Sequence, residues 1–320
     1  MKKIESSLKS RNDQAKFRFI DLFAGIGGMR IGFESVGGRC VFTSEWDKFA
    51  QKTYEANFGE IPSGDITQVD ASAIPKFDIL LAGFPCQPFS TIGKRQGFEH
   101  PTQGTLFYDV VRILAHHRPK AFLLENVSGL QNHDGGRTLD LIEKSLTELG
   151  YQFDYKVINA ARFGVPQQRE RIYIVGRRSK IAGKTNFDWP MGSNRIVGIG
   201  KFIKTGVTDH SISKHLQKVY IYKKDDGRPQ IVDKNSNFPI KTLVASYHKI
   251  QRLTGTFVKD GETGLRLLTA DECKAAMGFP KKFLIPVSRT QMYRQMGNSV
   301  AVPVIKALAT WMVEDLKIIK

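Results

Sequence analysis

The sequence predicts an α/β fold: a mostly parallel sheet with helices on both faces, joined to a smaller domain rich in loops and short strands. Between residues 17 and about 178, short apolar runs alternate with longer amphipathic stretches. Such alternation of strands and helices is typical of parallel βαβ units. After residue 190 the pattern changes: glycines occur at irregular spacing, and stretches with helical periodicity become rare.

The strand candidates of the first region are short apolar runs, at residues 17–23, 40–46, 77–83, 121–127, 153–159 and 171–177. Helices are predicted between them at 47–58, 108–117 and 138–150, and the last ends in a glycine of the kind that terminates helices. Thr269 and Glu272 form a capping-box pattern that begins a helix at 268–280. The smaller domain carries β-like runs at 217–222 and 239–247.

These patterns divide the chain into successive parts. They are a polar N-terminal arm (1–16), a large α/β domain (17–189), a small domain (190–264), a hinge segment (265–297) and a C-terminal helix (298–320) that returns to the large domain.

Composition indicates a soluble globular protein, with 41% hydrophobic and 25% charged residues. No uninterrupted apolar run approaches the roughly 20 residues that cross a bilayer, and the N-terminus lacks the apolar segment of a secretory signal. The three cysteines are few and widely spaced, which argues against a disulfide framework. We therefore expect a cytoplasmic protein without membrane contact.

Positive charge is concentrated in the second part of the chain. Lys and Arg outnumber Asp and Glu by 21 to 19 over residues 17–189, by 13 to 6 over 190–264 and by 9 to 4 over 265–320. This asymmetry predicts a phosphate-binding surface, although a solvated basic face without a partner is the alternative.

A glycine-rich turn in "FIDLFAGIGGMRIGF" follows the first strand and opens a helix. The turn lets the backbone approach a ligand, Glu45 at the end of the next strand suits ribose hydroxyls, and Trp46 offers a flat face for adenine. The third glycine of GxGxxG is missing, which weakens a dinucleotide site. The pattern favours a nucleoside cofactor, with a packing-only turn as the alternative.

Cys86 in "LLAGFPCQPFS" follows a predicted central strand, where α/β sheets place ligand crevices. A metal site lacks a second cysteine at ligand spacing, and a disulfide does not suit the compartment. A nucleophile is favoured over a buried inert thiol. Glu125, at the end of the next apolar run, could serve as its acid or base partner. Arg169 and Arg171, two apart, could hold a carboxylate, phosphate or carbonyl oxygen.

The motifs DLFAGIGG, GFPCQPFS, ENV, QQRER and QMGNSV, in this order, resemble the C5-cytosine DNA methyltransferases of bacterial restriction–modification systems, in particular the compact HhaI-type members. The resemblance spans about 200 of 320 residues. It implies a Rossmann-like methyltransferase sheet, S-adenosylmethionine as cofactor with S-adenosylhomocysteine as product, and no metal. It further implies a monomer that acts on double-stranded DNA at a short specific site, which residues 190–264 would recognise.

In the mechanism that the resemblance implies, the Cys86 thiolate adds to C6 of a flipped-out cytosine. Glu125 contacts the ring N3 and the exocyclic amine, Arg171 binds O2, and Arg169 supports Glu125 and the catalytic loop. A transfer-RNA cytosine methyltransferase of the related branch is the alternative, which the long basic region disfavours.

The resemblance also implies the binding residues. The cofactor site comprises Phe23, Ala24, Gly25, Gly27, Gly28, Glu45, Trp46, Asp65, Ile66, Gly83, Pro85, Leu106, Asn298 and Ser299. Contacts to DNA come from Gln87, Ser90, Lys94, Arg95, Thr242 and Leu243.

Overall fold

The computed structural model describes residues 15–85, 106–178 and 187–314. Within them a six-stranded sheet has the order β2-β1-β3-β4-β6-β5. Its strands are β1 (Phe17–Leu22), β2 (Gly38–Ser44), β3 (Ile79–Ala82), β4 (Ala121–Val127), β5 (Tyr151–Asn159) and β6 (Glu170–Arg178). Strands β2, β1, β3 and β4 are parallel, whereas β6 is antiparallel to both β4 and β5. The predicted α/β fold with a mostly parallel sheet is confirmed.

The helices of the described residues are α1 (Gly28–Glu34), α2 (Lys48–Phe58), α3 (Leu106–His117), α4 (Arg137–Glu148), α5 (Ala270–Met277), α6 (Arg289–Asn298) and α7 (Val302–Glu314). Short 3₁₀ turns lie at Ile66–Gln68, Ala71–Ala73, Ser128–Gly136, Ala160–Phe163, Ile199–Phe202 and Tyr247–Lys249. The capping box predicted at Thr269 begins α5: its hydroxyl accepts from the Glu272 N–H, and the Glu272 carboxylate accepts from the Thr269 N–H.

Both faces of the sheet are covered, which explains the continuous apolar runs of the central strands. Alternate residues of β3 enter opposite cores. Leu81 packs with residues of α1 and α7 on one face, and Leu80 packs with residues of α3 and α4 on the other.

By length and composition alone, the stretch Arg289–Glu314 could cross a membrane. The chain breaks it into α6 and α7, and 61% of its most apolar part is buried inside the protein. Helix α7 packs closely on α1, since a Cβ added at Gly32 would lie 2.5 Å from Cγ2 of Ile305. This apolar stretch therefore belongs to the protein core.

Residues 190–264 contain little regular strand. A two-stranded parallel sheet joins β7 (Gln230–Val232) to β8 (Thr256–Val258). The predicted strand at 217–222 is wrong, because the chain forms a helical turn at Lys214–Leu216 that continues as a π-helical turn at Gln217–Ile221. The Gln217 side chain stabilises this turn by donating to the carbonyls of Ile212 and Thr263.

The predicted strand at 239–247 is also wrong. Ile240 forms an isolated parallel bridge with Gln167, and the following residues have no regular strand pairing. Side chains of residues 167 and 169 bind the backbone N–H and carbonyl of Leu243, which a strand partner would otherwise bind.

Candidate active site

The functional residues gather at one edge of the sheet because parallel strands end on the same side. The glycine turn follows β1, Glu45 follows β2, Gly83 follows β3, and Glu125 lies near the end of β4. These four positions were predicted on separate motifs, and the sheet brings them to one edge.

The glycines of the turn have different tasks. Phe23, Gly25 and Gly27 all have positive φ, at 55°, 55° and 85°. A Cβ added at Gly25 would meet no atom within 4 Å, whereas one at Gly27 would lie 2.3 Å from the ring of Phe58. A Cβ at Gly28 would lie 2.8 Å from Val300. Gly25 thus leaves open space beside the backbone, while Gly27 and Gly28 allow close packing.

Glu45 closes this turn from the neighbouring strand. Its carboxylate accepts hydrogen bonds from the N–H groups of Gly25 and Asp47, both at 2.8 Å. Burial raises the pKa of the carboxyl, and its remaining lone pairs can still accept from a ribose. Trp46 is 74% exposed, so its ring is available for stacking. Open space, a carboxylate and an exposed indole together fit a nucleoside.

The other predicted cofactor residues have varied surroundings. Ala24 and Ile66 are buried, and Asp65 uses one carboxylate oxygen to accept from the Thr67 N–H at 3.0 Å. Burial of the Ile66 side chain leaves its backbone as the group that could meet a ligand. Pro85 and Asn298 are exposed, while Leu106 and Ser299 are half-buried.

Glu125 and Arg171 form an ion pair at the mouth of the site, with 3.2 Å between Oε1 and Nε. Antiparallel pairing produces it, since β6 places Arg171 opposite Val127 of β4. Glu125 is 8% exposed, and burial raises its pKa against the opposing effect of Arg171 and Arg169. Burial therefore favours the protonated carboxyl, whereas the guanidinium favours the carboxylate.

The segment that leads to Cys86 lies against this pair. A Cβ added at Gly83 would be 3.5 Å from Oε2 of Glu125. The amide of Asn126 donates to the buried carbonyl of Phe84 at 2.9 Å. Sequence reasoning missed this role of Asn126, although the residue stands inside the ENV motif. The predicted residues Cys86, Gln87, Ser90, Lys94 and Arg95 lie outside the described residues.

Arg169 has different partners from those predicted. Its guanidinium donates to the carbonyls of Leu243 at 3.1 Å, of Gly297 at 2.9 Å and of Ser299. Burial and the charge of Arg171 lower its pKa to about 9, so it stays protonated at neutral pH. Among the described residues it supports Glu125 through its charge and not through a hydrogen bond. The ion pair with Glu125 is made by Arg171, and the predicted support of the catalytic loop by Arg169 concerns residues outside the described ranges.

The segment around Thr242 is seated on residues 166–169. The N–H of Leu243 donates to the Gln167 side chain at 2.7 Å, and the hydroxyl of Thr242 donates to the Gln168 carbonyl at 2.7 Å. Leu243 is 2% exposed and packs in the core, and its predicted contact to DNA stays a prediction. No sequence signal beyond the QQRER motif pointed to Gln167.

An open cavity of about 640 Å³ lies between the sheet edge and residues 190–264. Its lining residues are Ser128, Asn159, Gln168, Glu170, Arg171, Arg228, Lys241, Thr242, Val244, Leu253 and Thr254. We call this cavity the cleft. In the described part of the chain, no group of three His, Cys, Asp or Glu residues is placed to hold a metal ion.

A nucleoside cradle and a carboxylate–guanidinium pair beside an open basic cleft fit an enzyme that uses a nucleoside cofactor and acts on a base. The chain belongs to the C-5 cytosine-specific DNA methylase family, whose sequence profile matches residues 17–314. Its activity class is therefore the methylation of cytosine C5 in DNA, and the family uses S-adenosylmethionine. The predicted resemblance is confirmed.

Relatives support this assignment over nearly the whole chain. The Type II methyltransferase M.MspI of Moraxella sp is 57% identical over 304 residues, which cover 94% of this chain and 72% of the relative. M.BsuFI of Bacillus subtilis is 56% identical, with coverage of 98% and 76%. A solved mutant of Spodoptera frugiperda DNMT2 shares the fold, with a TM-score of 0.76 at 24% identity over 93% of this chain and 99% of that one.

Proposed function

We propose that this chain methylates C5 of a cytosine that is flipped out of duplex DNA at a short specific site, as the modification enzyme of a restriction–modification system. The observation that carries the proposal is the Glu125–Arg171 pair at the cleft, against which the segment leading to Cys86 is held. The bases of a stacked duplex cannot reach a buried carboxyl, so the target has to leave the stack. The basic character of residues 190–264 suits the phosphates of the same duplex.

The cofactor would lie at the glycine turn. Gly25 leaves room for it, Glu45 would accept from its ribose, and Trp46 would stack on its adenine, with Phe23 and Ser299 at the rim. S-adenosylmethionine supplies the methyl group that C5 takes.

Residues of this chain would activate the base. The Cys86 thiolate forms a bond to C6, and the electron pair of the C5–C6 double bond makes C5 nucleophilic. Glu125 in its protonated form donates to N3 as charge develops there, which its raised pKa favours. Arg171 donates to O2 and holds the ring in place. After methylation a base removes the C5 proton, the double bond re-forms, the sulfur leaves C6, and N3 returns its proton.

We further propose that the enzyme is a monomer in the bacterial cytoplasm, as the resemblance to the family implies. The proposed limits of its parts are 17–189 for catalysis and cofactor binding, 190–264 for target recognition, 265–297 for the hinge and 298–320 for the returning helix. Size-exclusion chromatography with light scattering would detect a dimer if the first proposal is wrong.

The test uses tritiated S-adenosylmethionine with duplex DNA of mixed sequence and, separately, with transfer RNA. We expect label in DNA from the wild type, none from Cys86→Ala, and a large loss with Glu125→Gln. Asn57→Ala in α2, whose amide binds the backbone of Leu284 and no described residue of the site, serves as the control and should retain activity. Label in transfer RNA alone, or equal label from Cys86→Ala, would overturn the proposal.

A further inference from the structure

The cleft has two walls of different origin. The sheet edge contributes Arg171 and its neighbours, and residues 190–264 contribute the opposite wall, with Arg228, Lys241 and Leu253. A cytosine held at Arg171 would leave the adjoining base pairs facing this second wall. Its chemistry therefore bears on which bases are accepted next to the target.

A buried arginine braces the loop that carries Arg228. Arg252 is 2% exposed and donates to the carbonyls of Ile221 at 3.0 Å and Lys224 at 2.9 Å. It also forms a two-pronged ion pair with Asp226, one contact of which measures 2.9 Å. Asp226 in turn accepts from the backbone N–H of Arg228 at 3.1 Å. The backbone at Arg228 is thus fixed to the interior of the domain.

A glutamine ties the rest of the wall together. The side-chain oxygen of Gln230 accepts from the Lys241 N–H at 2.9 Å and from the hydroxyl of Thr256, while its nitrogen donates to the Pro239 carbonyl at 3.1 Å. Three chain segments therefore meet at one side chain. Hydrogen bonds of this kind between chain segments hold the residues that contact a ligand in a defined geometry.

The side chains that face the cleft differ in whether they have a hydrogen-bond partner within the protein. The ammonium of Lys241 donates to the Leu253 carbonyl at 3.3 Å. The exposed guanidinium of Arg228 makes no hydrogen bond or ion pair within the described part of the chain, so its donors are available. Leu253, which is 58% exposed, lines the same cleft. An apolar neighbour suits base edges and methyl groups better than it suits phosphates.

We propose that Arg228 is a specificity-determining residue that recognises a guanine adjoining the target cytosine. The planar fork of arginine matches O6 and N7 of guanine in the major groove, which is the most common specific contact to a base. The braced backbone presents that fork in a fixed direction. This inference rests on the proposed function, because it requires duplex DNA in the cleft.

The test measures sequence preference and not activity alone. A duplex library randomised around a central cytosine is methylated by the wild type, Arg228→Ala, Arg228→Gln and Lys224→Ala, and the products are read by bisulfite sequencing. Lys224 is a matched control, since it is an exposed cation of the same loop that does not line the cleft. We expect both Arg228 variants to lose about 10- to 100-fold of the preference for guanine at one position. Lys224→Ala should keep the base preferences of the wild type.

A uniform decrease in Arg228→Ala, with the same base preferences as the wild type, would overturn the assignment, because it would place the residue on a phosphate. Circular dichroism checks folding, and Arg228→Gln decides the question if the alanine variant unfolds. If the wild type methylates no DNA at all, the proposed function fails first. If it methylates DNA and both Arg228 variants keep its preferences, only this inference fails.

Discussion

Replacing Asn126 with alanine should damage catalysis by releasing the segment that leads to Cys86. The amide of Asn126 donates to the Phe84 carbonyl at 2.9 Å and accepts from the Val127 N–H at 2.8 Å. Val127 is 43% exposed, so water can replace its lost bond, whereas Phe84 is 3% exposed. One buried carbonyl is then left without a donor, which costs about 1–3 kcal/mol of unfolding free energy.

The rate should fall as well, because the bond that is lost positions the segment leading to Cys86. A displacement of about 1 Å at a reacting group can reduce a rate by about 100-fold, so we expect kcat to fall by about 10- to 100-fold. Unfolding in urea gives the stability, and tritium transfer at saturating DNA and cofactor gives kcat.

Asn57→Ala is the control, because the Asn57 amide also binds backbone groups: the carbonyl of Thr53 at 2.7 Å, and the N–H and carbonyl of Leu284, both at 2.8 Å. That variant should lose stability and keep kcat. A normal kcat in folded Asn126→Ala, or an equal loss of kcat in Asn57→Ala, would refute the positioning role.

Three further predictions concern other parts of the site. Gly25→Ala and Gly59→Ala should each lower the free energy of unfolding by about 1–2 kcal/mol, because both residues have positive φ and open surroundings. Calorimetry should find weaker binding of S-adenosylmethionine only for Gly25→Ala. Binding as tight as that of the wild type in Gly25→Ala would contradict the placement of the cofactor. Burial raises the pKa of Asp21 from 3.8 to about 7, so the stability of the wild type should fall as pH rises between these values. Urea unfolding of Asp21→Asn should therefore show a stability advantage that grows by up to about 4 kcal/mol between pH 4 and 8, and a constant difference would exclude this ionisation. Arg169→Met should reduce the affinities for DNA and for cofactor together, since its carbonyl partners belong to both regions, and titrations in which only one affinity changes would argue against that coupling.

The sheet could be predicted from the sequence because its strands are buried on both faces. In β3 all four residues are buried, and an uninterrupted apolar run of that length between turn signals has few other structures to adopt. The positions of Glu45 and Glu125 followed directly, since both depend only on where a strand ends.

Contacts between distant segments could not be predicted in the same way. The spacing of Arg169 and Arg171 suggested two equivalent groups, but β6 begins at Glu170, and Arg169 lies just before it among carbonyls from residues 243, 297 and 299. The run at 217–222 alternates like a strand, yet it is helical, and its Gln217 side chain binds the carbonyl of Thr263, which lies 46 residues further along the chain. Such partners are a property of the assembled fold.

Leu243 is held at both of its backbone groups by the side chains of Gln167 and Arg169. Any residue other than proline offers the same N–H and carbonyl, so the attachment of this region depends little on the side chains that face the cleft. If residues 190–264 recognise the target as proposed, such segments could be exchanged between members of the family, provided that the incoming chain passes through this two-point anchor in the same register. Chimeras joined elsewhere would keep their base-contacting residues and lose the alignment of those residues with the catalytic edge.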